Sequence, residues 1–293
     1  MPTNYSQRIN ATRSLADAPL GTVYLPGRVE PDIITDNLLA ALPDGAIFLD
    51  PRNGFSAADG RWTDRKSGQV FRLGTNPGAA MPVLQQNIQG DQPGLHYQNG
   101  TSGCPLVSDA DNIWPIGGSY TSVLLFKATG EGTATGGFMC NRRVESSQTG
   151  GVQTGASRLG YVVSGSVIAL NHQTRTSAGA TTANLIQPPT GTFTGTMAQM
   201  LMTSFDGAAD TGEMFRNGVS VRTATGLTRD NEEGHLVIGA AGYIPGEVFN
   251  PLRYVHLLGA MFLPGLALHA AGSAQAEIKL AIETYARNKL AIW

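Results

Sequence analysis

Any catalysis by this chain would have to start from its acidic residues. Glycoside hydrolysis needs two carboxyl groups about 5 to 10 Å apart. On one strand that means Glu or Asp at i and i+2 or i+4, so that both side chains point to the same face. Glu131, Glu145, Glu213 and Glu247 each stand alone, and Glu232 and Glu233 are adjacent in a polar stretch. Two carboxylates converging from separate strands would satisfy the geometry, but the sequence singles out no such pair. It contains no Gly-x-Ser-x-Gly elbow, no His-Glu-x-x-His and no phosphate loop. Gly130, Gly132, Gly136 and Gly137 follow no strand-to-helix turn with a lysine and read as loop glycines. The five histidines are scattered: His256 falls among apolar neighbours, and His96 alternates with Leu95 and Tyr97, so it should face outward.

The elements that must position these residues are short. The chain has 293 residues with 37 Gly, 16 Pro and 14% charged residues, a composition that argues against a helical bundle, and at this length one large β domain or two smaller domains could bury a core. With 20 Lys plus Arg against 22 Asp plus Glu, there is no basic footprint for nucleic acid. Cys104 and Cys140 sit in no Cys-x-x-Cys or Cys/His spacing and read as buried thiols. Met-Pro-Thr-Asn-Tyr-Ser is not the start of a signal peptide, so synthesis in cytoplasm is expected. The most apolar stretch, 254–272, is interrupted by His256, Pro264 and His269, whereas a membrane span takes about 20 consecutive apolar residues.

Residues 1–43 read as an extended arm ending in a short helix, with Ile34, Leu38 and Leu42 forming a narrow apolar stripe that Pro43 and Gly45 terminate. Either the domain itself or a partner must cover that stripe. From residue 44 onward, apolar runs separated by Gly, Asn, Asp, Ser and Pro predict strands over 46–50, 70–73, 94–98, 120–127, 138–142, 158–163, 167–170, 198–205, 213–216, 219–222, 236–238 and 252–262. Asn217-Gly218 supplies the two positive φ angles of a type I′ hairpin turn. Ser273 is placed to cap a terminal helix in which Ile278, Ala281, Ile282 and Tyr285 form one face.

Several pieces in order resemble the concanavalin A-like lectin/glucanase superfamily, specifically its laminin-G-like jelly rolls. They are Ala46-Ile-Phe-Leu-Asp50-Pro-Arg-Asn-Gly-Phe, then Gly60-Arg-Trp62-Thr-Asp64-Arg-Lys-Ser67-Gly68, Gly94-Leu-His-Tyr-Gln-Asn-Gly and Tyr120-Thr-Ser-Val-Leu-Leu-Phe126. Phe205-Asp206-Gly207 through the Asn217-Gly218 hairpin, Leu236-Val-Ile-Gly239 and the helix 277–293 complete the set. The resemblance covers residues 46–293. It implies an all-β, two-sheet antiparallel jelly-roll sandwich with an extended N-terminal arm and one C-terminal helix, divided into an arm (1–43) and a jelly-roll domain (44–293).

In that superfamily the curved face or its edge loops bind carbohydrate, and the hydrolases carry Glu-x-Asp-x-Glu or a close variant, which this chain lacks. Calcium is the family's usual ion. Asp206 with Asp210, and Asp230-Asn231-Glu232, are the oxygen-rich clusters that could hold it, although turn chemistry explains both. No other cofactor is implied. Stacking on sugar rings needs exposed aromatics, for which Trp62, Trp114 and Tyr243 are the candidates, each with core or corner packing as its other reading.

A lectin-like domain behind such an arm leads to the expectation of a non-enzymatic phage virion structural protein, a head decoration, fibre or tail-associated part. Its arm would dock on other virion subunits through Leu20, Val23, Tyr24, Leu25 and the Ile34, Leu38, Leu42 stripe, with homo-oligomeric assembly and host glycan as a further partner. The alternative is a stand-alone carbohydrate-binding protein. A glycosidase or polysaccharide lyase on the same fold ranks last.

Overall fold

In the computed structural model, residues 31–74, 80–97, 103–113, 118–129, 136–142, 158–164, 167–175, 181–186, 198–227, 234–244 and 247–291 are described. Helix α1 (Pro31–Ala41) leads into β1 (Ile47–Leu49), β2 (Phe55–Ser56), β3 (Arg61–Thr63) and β4 (Val70–Leu73). Next come β5 (Val83–Gln89), β6 (Gln92–Tyr97), β7 (Leu106–Ser108), β8 (Tyr120–Ala128) and β9 (Gly136–Arg142). They are followed by β10 (Arg158–Ser164), β11 (Val167–Arg175), β12 (Thr181–Ile186), β13 (Gln199–Asp206), β14 (Thr211–Arg216) and β15 (Val219–Thr225). The chain closes with β16 (His235–Ile238), β17 (Ala240–Ile244), β18 (Glu247–Pro251), β19 (Val255–Pro264) and helix α2 (Ser273–Leu290).

Two antiparallel sheets stack. The eight-stranded sheet runs β15-β14-β13-β8-β19-β6-β5, with β1 also on β19; the nine-stranded sheet runs β12-β11-β10-β9-β16-β7-β4-β3-β2. A ribbon of β17 and β18 stands beside them. Leu124, Phe126, Leu201, Phe205, Leu257 and Phe262 from the first sheet share one core with Trp62, Phe71, Phe138 and Leu236 from the second. Alternate residues of the same central strands, Val123, Leu125, Met200, Met202, Met261 and Leu263, pack with Leu38 and Leu42 of α1 and with Ile282 and Tyr285 of α2. The period-2 alternation of a strand therefore serves two cores, which is why 120–127 reads as a nearly continuous apolar run. A register shift between Leu257 and Gly259 of β19 occurs where its free edge passes from β6 to β1.

The hairpin reading is met directly. Asn217 (φ 50°) and Gly218 (φ 79°) connect β14 to β15, with Arg216 opposite Val219. Asn217 also fixes the neighbouring strand, because its Oδ1 accepts from Met200 N at 2.9 Å and its own N–H donates to the Met200 carbonyl at 2.9 Å. The stretch around Asp64 gains a mechanism. The Asp64 carboxylate accepts the backbone N–H groups of Phe48, Lys66, Ser67 and Gln69 and the Ser67 hydroxyl. One side chain thus closes the turn between β3 and β4 and ties it to β1.

Some expectations change. Ser273 is the first residue of α2, not its cap: Gly272 holds the N-cap position and no side chain bonds to the helix start. Strand β5, Val-Leu-Gln-Gln-Asn-Ile-Gln, carries no strong apolar alternation, and as an edge strand it needs little. The boundary at residue 43 crosses a packed core, since Leu38 and Leu42 of the arm are buried against α2 and the sheet.

Candidate functional site

The aromatic candidates do not form an exposed platform. Trp62 is fully enclosed, with Phe55 edge-on at 5.7 Å and its Nε1–H donating to the Asn53 carbonyl at 3.1 Å. A ring with no accessible face cannot stack on a sugar, so Trp62 is a core residue. Tyr243 is buried as well, its ring lying so close to Gly74 that a Cβ there would stand 2.7 Å from it. Trp114 lies outside the described residues. The docking stripe is also turned inward: Leu38 and Leu42 are buried and so unavailable to a partner, and the partly buried Ile34 packs on the same cluster. Leu20, Val23, Tyr24 and Leu25 lie outside the described residues, as does Asp230-Asn231-Glu232.

Asp206 and Asp210 bracket the turn between β13 and β14. Asp206 Oδ1 accepts from Ala208 N at 2.9 Å, Ala209 N at 3.3 Å and the Ser119 hydroxyl at 3.3 Å, and Asp210 takes a left-handed φ of 52°. These are turn functions. Among the described residues, no three His, Cys, Asp or Glu side chains are grouped as a metal site would need.

The sequence gives no hint of a polar cluster on the helix-side face of the eight-stranded sheet, at its β5 end. His96 of β6 and His256 of β19 are directly paired across the ladder, and their rings stack at 4.5 Å. Gln85 of β5 bridges them, with Nε2 2.9 Å from His96 Nδ1 and Oε1 2.9 Å from His256 Nε2. With the amide in this orientation, the His96 proton sits on Nε2 and the His256 proton on Nε2, leaving His256 Nδ1 as a buried acceptor without a partner among the described residues. Lys127 of β8 donates to the Ile88 carbonyl at 2.8 Å and to Gln89 Oε1 at 3.2 Å, holding the irregular end of β5 over the sheet. Burial, with the charges of His96 and Lys127, lowers the His256 pKa from 6.5 to about 4. Alternation placed His96 on the outer face correctly, but the side chain is buried there and not solvated. The signal was weak because the two histidines meet only when 160 residues of chain have folded between them.

A second grouping has the residue types of a nucleophile and base. His269 Nδ1 lies 2.7 Å from Ser204 Oγ, and His269 Nε2 lies 3.0 Å from Thr211 Oγ1. Ser204 is fully buried and also receives the His269 backbone N–H at 3.2 Å. Thr121 beside it donates to the Leu266 carbonyl and accepts from Leu268 N. With its hydroxyl sealed beneath the 266–269 segment, this group clamps that segment to the sheet, and substrate has no approach to it. Burial lowers the His269 pKa against the opposing charges of Glu213 and Asp206.

The third grouping joins the first strand to both helices. Asp50, fully buried, accepts from Lys289 Nζ at 2.8 Å and from Arg52 N at 3.1 Å, and Arg65 Nη1 and Arg52 Nη2 stand 3.5 and 3.7 Å from its Oδ2. Lys289 also donates to Tyr285 Oη at 2.6 Å, and Arg52 to Thr35 Oγ1 of α1 at 3.3 Å. Burial brings Lys289 down to about 8 despite the charge of Asp50. Burial raises Asp50, yet Lys289 and Arg52 hold it below the usual carboxylate value. Asp50 and Asp64 are therefore structural carboxylates, both legible as positions in the sequence but not as a clamp and a turn hub.

No protein-family model and no curated protein matches this chain. Among solved structures, the binding domain of botulinum neurotoxin serotype D superposes with a TM-score of 0.50 at 10% identity, over 84% of this chain and 52% of that one. A tryptophan-to-alanine mutant of HCR/D gives a TM-score of 0.51 at 11% identity, over 81% and 51%. The CBM40 of a Ruminococcus gnavus sialidase, solved with α2,3 sialyllactose, gives 0.44 at 13% identity, over 68% and 97%. This chain spans about half the length of the first two. At such identities the likeness to the first two is one of fold. The fold is a two-sheet antiparallel jelly-roll β-sandwich with two helices on the outer face of one sheet.

Proposed function

We propose that this chain is a lectin-like module that binds carbohydrate without cleaving it. The observation that supports this reading best is the architecture, a jelly-roll sandwich in which Asp50, Asp64 and Asp206 serve a clamp and two turns. With Trp62 and Tyr243 buried, recognition falls to polar groups, and the half-buried Gln85, Lys127 and His256 at the β5 edge are the ones we assign. Amide and ammonium groups there can exchange their present partners for sugar hydroxyls. A glycan array probed with the full chain tests the reading: selective binding that Gln85→Ala and Lys127→Ala both weaken is expected. Binding to no glycan, or release of reducing sugar abolished by changing a single Glu, overturns it.

A second reading places the module on a larger particle, a phage virion, with host glycan as its target. It is supported by the apolar Leu20, Val23, Tyr24 and Leu25 in the sequence ahead of α1. Co-purification of the chain with intact particles, lost when residues 1–30 are deleted, is the expected result. Particles that assemble with the truncated chain at full occupancy overturn it.

A further inference from the structure

We propose that Arg52 and Arg65 form the mouth of an oxyanion site, floored by Asp50 and backed by Lys289, that takes a carboxylate, sulfate or phosphate group. The proposal begins from an imbalance. Three cationic side chains converge on one fully buried carboxylate. Asp50 Oδ1 is already filled by Lys289 Nζ and Arg52 N, so each arginine reaches only Oδ2, at 3.7 and 3.5 Å, at or beyond the outer limit of a good hydrogen bond.

The two guanidinium groups therefore meet at Asp50 Oδ2, each held there only loosely. Among the described residues, Arg52 Nη2 has Thr35 Oγ1 at 3.3 Å, and Arg52 Nε is buried with no partner. Their side chains are 20% and 22% exposed, whereas Lys289 is 3% exposed, so the arginines are the solvent-reaching part of the group and the lysine its buried part.

The charge balance points the same way. Among the described residues, one carboxylate against three cations leaves a surplus of positive charge in a partly desolvated site, and the two arginines are among the groups that depress Lys289. An anion seated between them would relieve that repulsion and accept from paired planar forks, the geometry suited to carboxylate, sulfate and phosphate. The position is also rigid. Arg52 follows β1, Arg65 sits in the turn that Asp64 closes, and Lys289 stands on the last turn of α2. The site is separate from the β5-edge patch and does not depend on sugar binding there.

The test uses the full chain. Its thermal midpoint is measured in millimolar sodium phosphate, sulfate and glucuronate against sodium chloride of matched ionic strength, and binding of phosphate and sulfate is measured by calorimetry. A rise of several degrees over chloride, with binding weakened about tenfold or more in Arg65→Gln, is expected from the loss of charge-assisted hydrogen bonds. Arg65→Lys, which keeps the charge and loses the fork, should fall between. Arg52→Gln is the companion variant, and Arg65→Gln keeps the test intact if Arg52→Gln does not fold. Midpoints that match chloride for all three anions overturn the site, as does an unchanged phosphate affinity in Arg65→Gln. Tighter binding of a sulfated disaccharide than of inorganic sulfate assigns the oxyanion to a sugar, and equal binding assigns it to the free ion. Inorganic phosphate alone decides whether the site exists, so a glycan array that finds only neutral sugars leaves it standing.

Discussion

Replacing Asp64 with alanine tests whether one carboxylate organises the first part of the sandwich. The side chain is buried and accepts five hydrogen bonds, four from backbone N–H groups and one from the Ser67 hydroxyl. The losses are unequal. Phe48 N lies inside a fully buried strand where water cannot replace the carboxylate, and an orphaned buried donor costs about 1–3 kcal/mol. Lys66, Ser67 and Gln69 lie in a partly exposed turn, where water recovers most of each bond and about 0.5 kcal/mol apiece is lost. The total expected for Asp64→Ala is about 2.5–4.5 kcal/mol, a large part of the 5–15 kcal/mol that typically holds a domain together. Urea unfolding followed by tryptophan fluorescence gives the number, because Trp62 sits beside the turn and the denaturation slope reports whether the transition stays two-state. Asp64→Asn should recover less than half, since its amide nitrogen would face donors. A loss below about 1 kcal/mol with an unchanged slope would refute the hub, because water would then be substituting at every position.

Three further outcomes follow from the packing. The folded His256 pKa of about 4 lies below its ordinary 6.5, so the unfolded chain binds more protons in that window. Stability should be fully present above pH 6.5 and fall toward pH 4. The contribution is about 1–2 kcal/mol after discounting for partial exposure, read as urea midpoints at pH 7 and 5 that His256→Asn brings closer together. Gly239→Ala should cost about 3 kcal/mol or abolish folding, because Gly239 has φ of 93° and an added Cβ would stand 2.6 Å from the buried Tyr97 ring; circular dichroism melts of the variant check it. Deleting residues 1–43 should destabilise the domain by at least the burial of Leu38 and Leu42, about 2–5 kcal/mol each, read as a lowered urea midpoint.

What could be read from residue order alone was whatever a few neighbouring residues decide. Asn217-Gly218 needs no distant partner to turn the chain, because its φ angles are a property of those two residues. The i, i+3, i+4 spacing of Ile278, Ala281, Ile282 and Tyr285 marks one face of α2 in any fold. The short apolar runs at 120–127 and 198–205, set between turn residues, announced strands.

The partners of those faces were decided only by the folded chain. The Ile34, Leu38 and Leu42 stripe is equally apolar whether another subunit or α2 covers it, and α2 lies some 240 residues further along. Trp62 looks the same in a loop-like stretch whether it is exposed or sealed under Phe55 and the opposite sheet. His96 and His256, Ser204 and His269, and Asp50 and Lys289 become neighbours through strand order and helix docking, which bring together residues that no local spacing relates. Backbone conformation is set by short-range sterics and hydrogen bonds. The site is set by which surfaces exclude water together, and that depends on the whole molecule at once.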